Sequence, residues 1–262
     1  MSAERSERVV VVGGGKAGGS LRASLQEAGV DVVVVPGRAL PAAKLDATLV
    51  LLCVPDRVVG SARVDVDDDV LVCHVAGSLG RSALSAKRRG VFHPLASLDG
   101  KHPVPRGCLC AFDADDDIDA ERLRRLAERI GLSPARVTDE HRARYHAGAV
   151  IAGNLATALL QLGVEQLQQA GVDVDVARVS LSRLLASTAQ RCIERPLGEA
   201  LTGPVARRDA PTLAAHLAAI DDPTTQQAYR LLSRVLIERV LATGGVEGDD
   251  DDDKALLLDA LR

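Results

Sequence analysis

Two histidines, an asparagine, an arginine and one run of glycines are the residues of this chain whose types and spacing suit chemistry. His93 and His146 are placed to give or take a proton, since an unperturbed histidine titrates near operating pH. His93 precedes Pro94, which holds it extended at the end of an apparent strand. A structural histidine that satisfies a loop carbonyl is the plainer alternative. His146 opens the stretch YHAGAVIAGNLATALL, residues 145–160, an apolar helix that Asn154 and Thr157 also interrupt. At ~100° and ~1.5 Å per residue, His146 and Thr157 nearly share a face, and Asn154 lies about 80° round and about 12 Å along from His146. His146 and Asn154 can line one elongated cleft. A satisfied polar pair between packed helices is the competing possibility.

The glycine run, residues 13–18, fits G-x-G-x-x-G. It follows a β-branched run at 9–12 and opens a helix on which Ala17, Leu21, Leu25 and Ala28 share a face. Gly29 closes that helix ahead of a second β-branched run at 30–35. In that context each glycine suits a dinucleotide site. Gly13 allows the tight turn, Gly15 lets the backbone approach a pyrophosphate, and Gly18 lets helix and strand pack closely. Lys16 and Ala17 then sit at the helix N-terminus, which faces the anion. A structural turn that binds nothing is the alternative. The end of the second strand decides the cofactor. An acid there would bind the ribose 2′-hydroxyl of NAD, whereas a 2′-phosphate prefers arginine. Residues 33–44 hold no acid and include Arg38, which predicts NADP(H) over NAD. Other strand ends add Val54, Pro55 and Asp56, then Ala76, Gly77 and Ser78. Asp56 can orient a substrate or the nicotinamide, or simply cap the next turn, and Ser78 can touch the cofactor.

Behind these residues the pattern predicts an α/β fold, a doubly wound, mainly parallel sheet over residues 1–138. Strands are expected at 48–54, 70–75, 91–93, 107–112 and 135–137. A short basic helix is expected at 82–89, and a helix capped by Asp119 and closed by Gly131. Residues 139–262 carry helical period only and predict a second, all-helical domain. Its segments are 141–170, 174–195, 210–219 and 224–242, the last with Ala228, Leu231, Leu232, Val235 and Leu241 on a core face. Asp209 suits an N-cap before Pro211. The loop Thr202-Gly203-Pro204 with Arg207 can present a guanidinium to an anion.

Composition excludes several classes. With net charge −4, no basic stripe, two Phe, two Tyr and no Trp, nucleic acid is not an expected partner. The first eight residues lack the apolar core of a signal peptide, and no apolar run approaches ~18 residues, so a cytoplasmic protein without a membrane segment is expected. The five cysteines lack zinc or redox spacing and read as small buried side chains. Acidic runs at 65–69, 113–117 and 249–253 read as solvated loops, and no metal site is expected.

The motifs GGGKAGGSL, LCVPD, HVAGS, FHPLASL, YHAGAVIAGNLATALL and LTGPVARRD, spanning residues 9–220, resemble a bacterial family. It joins a Rossmann-like NADP-type domain to a helical domain of unknown function (DUF2520 type). It is similar to pyrroline-5-carboxylate reductase and, more distantly, to prephenate dehydrogenase and the imine reductases. The resemblance implies a homodimer built through the helical domains. It implies nucleotide contacts at Gly13, Gly15, Gly18, Arg38, Pro55 and Asp56, and substrate-side residues His93, Ser97, His146 and Asn154. Two departures stand out. Related hydroxyacid dehydrogenases carry a lysine four residues before the asparagine, where this chain has Val150. The family often has Arg-Gly-Asp where this chain has Arg207-Arg208-Asp209. The expected activity is hydride transfer between NADP(H) and a small carbonyl or imine compound. The alternative is a nucleotide-binding dimer with a sensing or scaffold role.

Overall fold

The computed structural model describes residues 7–39, 44–241 and 251–262. The chain forms two compact units, residues 1–152 and 153–262. They meet within the long helical segment rather than at the composition change near residue 139, because the first part of that segment packs on the first unit.

The first unit is a seven-stranded sheet. Its strands are β1 (Arg8–Val12), β2 (Asp31–Val35), β3 (Leu49–Leu52), β4 (Leu71–His74), β5 (Arg88–Pro94), β6 (Leu109–Ala114) and β7 (Ser133–Arg136), in the order β2-β1-β3-β4-β5-β6-β7. All pairs are parallel except β5 with β6. In the central strands β1, β3 and β4, valine and leucine on both faces give nearly continuous buried apolar runs, as a sheet covered on both sides requires. Val9 and Val11 enter a core shared with Leu21 and Leu25 of α1 (Lys16–Glu27) and Leu123 and Leu126 of α3 (Asp117–Arg129). Val10 and Val12 face the other side, toward Val59 of the short α2 (Asp56–Val59) and Leu84.

Three details differ from expectation. Residues 82–89 are not a helix: Arg81–Ala83 is one tight turn, and β5 already begins at Arg88. Pairing with β4, and ion pairs from Arg88 to Asp119 and Arg89 to Asp115, outweigh the helical composition there. Asp116, not Asp119, caps α3 by accepting from the Asp119 amide. The acidic run at 113–117 is no plain solvated loop, since Asp113 is buried and paired with Arg81 and Arg136.

Among its described residues the second unit holds helices and no strand. It comprises α5 (Asn154–Gln169), α6 (Val174–Glu194), α7 (Leu197–Ala200), α8 (Ala210–Ala219), α9 (Pro223–Val235), a π-helical turn at Leu236–Val240 and α10 (Asp251–Asp259). α4 (Arg142–Ala152) precedes them in the first unit. Asp209 caps α8 as expected. Leu213, Leu217, Ile237, Leu257 and Leu261 form this unit's core. Leu231 and Leu232, expected there, are instead exposed, as are Leu155, Leu159 and Leu184. Cys192 is exposed too, against the expectation of five buried thiols, and all five cysteines are free. The helical stretch Asp139–Gln169 contains an 18-residue window of mean hydropathy 1.6, long and apolar enough by composition to cross a membrane. Counting unbroken apolar runs hides this, because isolated polar residues such as Asn154 barely lower the average. Of the third acidic run, Asp249 and Asp250 lie outside the described residues.

Candidate active site in the first unit

The register of the sheet brings the chain exits level. Val12 pairs with Val35 and with Leu52, so Gly13, Pro36 and Cys53 leave β1, β2 and β3 side by side. Strand order reverses at β1, and the crevice at that reversal is where open α/β sheets bind ligands. A cleft of about 720 Å³ opens there, lined by Gly13, Gly14, Gly15, Gly37, Arg38, Val54 and Pro55 among others.

The glycines divide by what a side chain would meet. Gly13 has φ +108°, and a Cβ there would lie 2.3 Å from the Cys53 carbonyl; on Gly18 it would lie 1.8 Å from the Gly13 carbonyl. These two make the tight turn and the close packing possible. Gly14 and Gly15 have open space instead. Gly15 precedes α1 and offers no side-chain cap, so the amides at Lys16 and Ala17 lack a side-chain acceptor, and no acid occupies the first turn. Such an end accepts an anion. Arg38 is exposed on the cleft wall and carries no ion pair among the described residues. These features fit a dinucleotide with a phosphorylated ribose. Asp56, first in α2, accepts a 3.0 Å hydrogen bond from the Ser78 hydroxyl, which ties two of the expected cofactor residues together.

On the same edge of the sheet, beyond β4 and β5, the imidazoles of His93 and His146 converge. A Cβ on Gly77 would lie 2.8 Å from His93 Nε2 and 2.9 Å from His146 Nδ1, so a larger residue there would have to displace a ring. His74 holds this turn: its Nδ1 accepts from the Ala76 amide and its Nε2 donates to the Gly80 carbonyl, which fixes a neutral tautomer. Asp139 binds the same loop from the other side through the Arg81 and Ser82 amides.

Sequence reasoning assigned no role to two residues here. Tyr145 lies 2.7 Å through its hydroxyl from His93 Nδ1, with the rings edge to face at 5.6 Å. Arg142 is buried beside them, its Cζ 5.8 Å from the centre of the Tyr145 ring. The signal was present in HRARYH, where Arg142, Tyr145 and His146 stand at i, i+3 and i+4 and so share one helix face. Burial, then the charges of Arg142 and His146, lowers the His93 pKa to about 4. Burial raises that of Tyr145 to about 12. At neutral pH the pair is therefore a neutral imidazole and a protonated phenol. In the tautomer in which Tyr145 donates to Nδ1, the remaining His93 proton sits on Nε2, beside Gly77. Ser97 is exposed on the segment after β5, where Gly100 donates to Ser20 of α1. Asn154 is exposed in the first turn of α5 and belongs to the second unit.

Residues 108–236 match a family model described as "Domain of unknown function (DUF2520)". A protein from Thermotoga maritima shares the fold at 20% identity and TM-score 0.72, over 89% of this chain and 98% of its own. A Bacteroides fragilis protein provisionally named an NADP oxidoreductase shares it at 22% identity and TM-score 0.68, over 89% and 99%. A reductive aminase from Aspergillus terreus, solved with NADPH and ethyl levulinate, is similar at 14% identity and TM-score 0.54, over 98% and 100%. At these identities the likeness is one of fold. No curated protein matches the sequence.

Proposed function

We propose, from the site geometry and the match of residues 108–236 to the DUF2520 model, that the chain is an NADP(H)-dependent oxidoreductase acting on a small carbonyl or imine compound. The observation that carries this reading is the convergence of His93 and His146 on Gly77, with Tyr145 bonded to the other nitrogen of His93, at the same sheet edge as the glycine cradle. Gly13, Gly15, Lys16, Ala17, Gly18, Val54 and Pro55 would hold the dinucleotide, Arg38 its 2′-phosphate, and Asp56 with Ser78 the part nearer β4. When bound, the nicotinamide supplies the hydride chemistry. The chain's own residues manage the proton. Nε2 of His93 donates to the carbonyl oxygen or imine nitrogen, and Tyr145 restores the imidazole through Nδ1. Arg142 steadies the phenolate this leaves. His146, whose Nδ1 also borders Gly77, binds the acceptor beside His93.

The exposed leucines of α5, α6 and α9 suit burial against a second copy, and a homodimer in the cytoplasm is part of the reading. Leu184 is 58% and Leu231 61% exposed, more apolar surface than a lone chain commonly leaves on one unit. The deciding experiment measures NADPH binding and then turnover on a panel of carbonyls and imines. The reading expects binding plus a turnover that His93→Ala and His146→Ala each abolish. Binding with no turnover on any compound would favour the non-catalytic dimer, which the valine at 150 also suits.

A further inference from the structure

Arg142 is the side chain that the mechanism explains least. It is 2% exposed, and Nε, Nη1 and Nη2 have no hydrogen-bond partner among the described residues. The nearby carboxylates are engaged elsewhere. Asp113 accepts from Arg81 and Arg136, and Asp139 from the Arg81 and Ser82 amides. A buried guanidinium offers five donors in a fixed planar fork, and leaving them unmatched is costly. Steadying a phenolate uses the charge of Arg142 but none of these donors. One helical turn further along α4, His146 Nδ1 is also buried without a partner. Both unmatched groups flank His93: their charges are the two that most depress its basicity after burial.

We propose that Arg142 receives a carboxylate of the substrate, which makes the acceptor a 2-oxo or 2-imino acid rather than a neutral ketone or imine. This rests on the oxidoreductase reading of the same site. A carboxylate matches the planar fork of arginine with two parallel hydrogen bonds. In a 2-oxo or 2-imino acid the reacting carbon is bonded directly to that carboxylate. Docking on Arg142 therefore brings the reacting group to the side of His93. The guanidinium lies 5.8 Å from the centre of the Tyr145 ring, so a carboxylate docked there also neighbours the ring whose hydroxyl bonds His93.

The test uses the full chain and calorimetry, with and without saturating NADP+. The probes are unbranched 2-oxo acids of three to six carbons, the methyl ester of each, and inorganic phosphate. The expected result is that at least one acid binds roughly tenfold or more tightly than its ester, the usual weight of a hydrogen bond to a charged group. Arg142→Met should bring that acid down to the level of its ester. It should leave NADP+ affinity unchanged and hold or raise the melting temperature, because it removes an unmatched buried charge. Should Arg142→Met fail to fold, Arg142→Lys carries the test: it keeps the charge, loses the fork, and should weaken the acid several-fold. Acid and ester binding alike in the wild type overturns the proposal, as does phosphate binding more tightly than every acid. An acid preference that survives Arg142→Met alongside a lowered melting temperature also overturns it, and assigns Arg142 to the Asp113 and Asp139 network. Failure to bind NADP+ while the acid preference still depends on Arg142 would sink the nucleotide reading, and with it the acceptor role, and leave only Arg142 as a carboxylate site.

Discussion

The molecule contains two hydrogen-bonded histidine–tyrosine pairs, one in each unit. His93 Nδ1 lies 2.7 Å from the Tyr145 hydroxyl and His216 Nδ1 lies 2.8 Å from that of Tyr229. Ring centres are 5.6 and 5.8 Å apart, and the planes cross at 87° and 84°. The surroundings diverge. The first pair joins β5 to α4 beside a second imidazole, a buried unmatched guanidinium and a glycine where a methyl group would have to displace a ring. The second joins α8 to α9 on an exposed surface, next to an apolar groove of about 740 Å³ lined by Leu159, Leu167, Ile220 and Leu232. Among the described residues, every buried polar atom without a partner lies in the first unit. Pair geometry alone therefore marks nothing. Desolvation and unmatched donors around a pair distinguish a candidate proton-transfer site from a surface strut.

The sharpest break between the two pairs is expected at Gly77. Gly77→Ala puts a methyl group against both imidazoles, and displacement on the 1 Å scale should cost turnover about 10²-fold or more, while His216→Ala leaves steady-state turnover at the wild-type level. Equal losses from the two would end the distinction. Next, Tyr145→Phe should lower turnover about 10²-fold, the lower range for a positioned proton donor, with Tyr229→Phe unchanged in the same assay.

Stability against pH separates the pairs differently. His93 has its pKa lowered to about 4 in the folded chain, so the unfolded chain binds the extra proton first. Its contribution is intact above about pH 6.5 and drains away as pH falls toward 4, by about 2 kcal/mol after discounting for a half-buried ring. Thermal melts at pH 7 and 4.5 should show that loss in wild type and a smaller one in His93→Gln. At the glycine-lined cleft, the proposed function expects Arg38→Ala to weaken NADPH about tenfold and leave NADH nearly untouched, the signature of a lost charge-assisted phosphate contact. The smallest effect belongs to the surface pair, where Tyr229→Phe should cost about 1 kcal/mol or less in a denaturant titration.

Much of the frame was legible in residues 8–35. Three consecutive features there, a valine run, spaced glycines and a helical face closed by Gly29, permit one local solution, and β1, α1 and β2 take it. Arg38 was legible for a similar reason, since its place depends only on the end of β2. The segment at 82–89 was not legible: its composition suits a helix, and only pairing with β4 and the Asp115 and Asp119 carboxylates makes it a strand. The exposed Leu231 and Leu232 show the same limit from the other side, because a periodic apolar face does not say what covers it.

The sequence by itself determined the strand, glycine turn, helix and strand of residues 8–35, the later change to helical period, and the two histidines as groups able to carry a proton, since each follows from short-range pattern and residue type. Tertiary structure alone decided that His93 and His146 meet at Gly77, that Tyr145 bonds to one of them, and that Arg142 is buried unmatched behind them. Those relations span as many as 69 positions, from Gly77 to His146, and no local pattern encodes a distance that the crossing of sheet and helix creates.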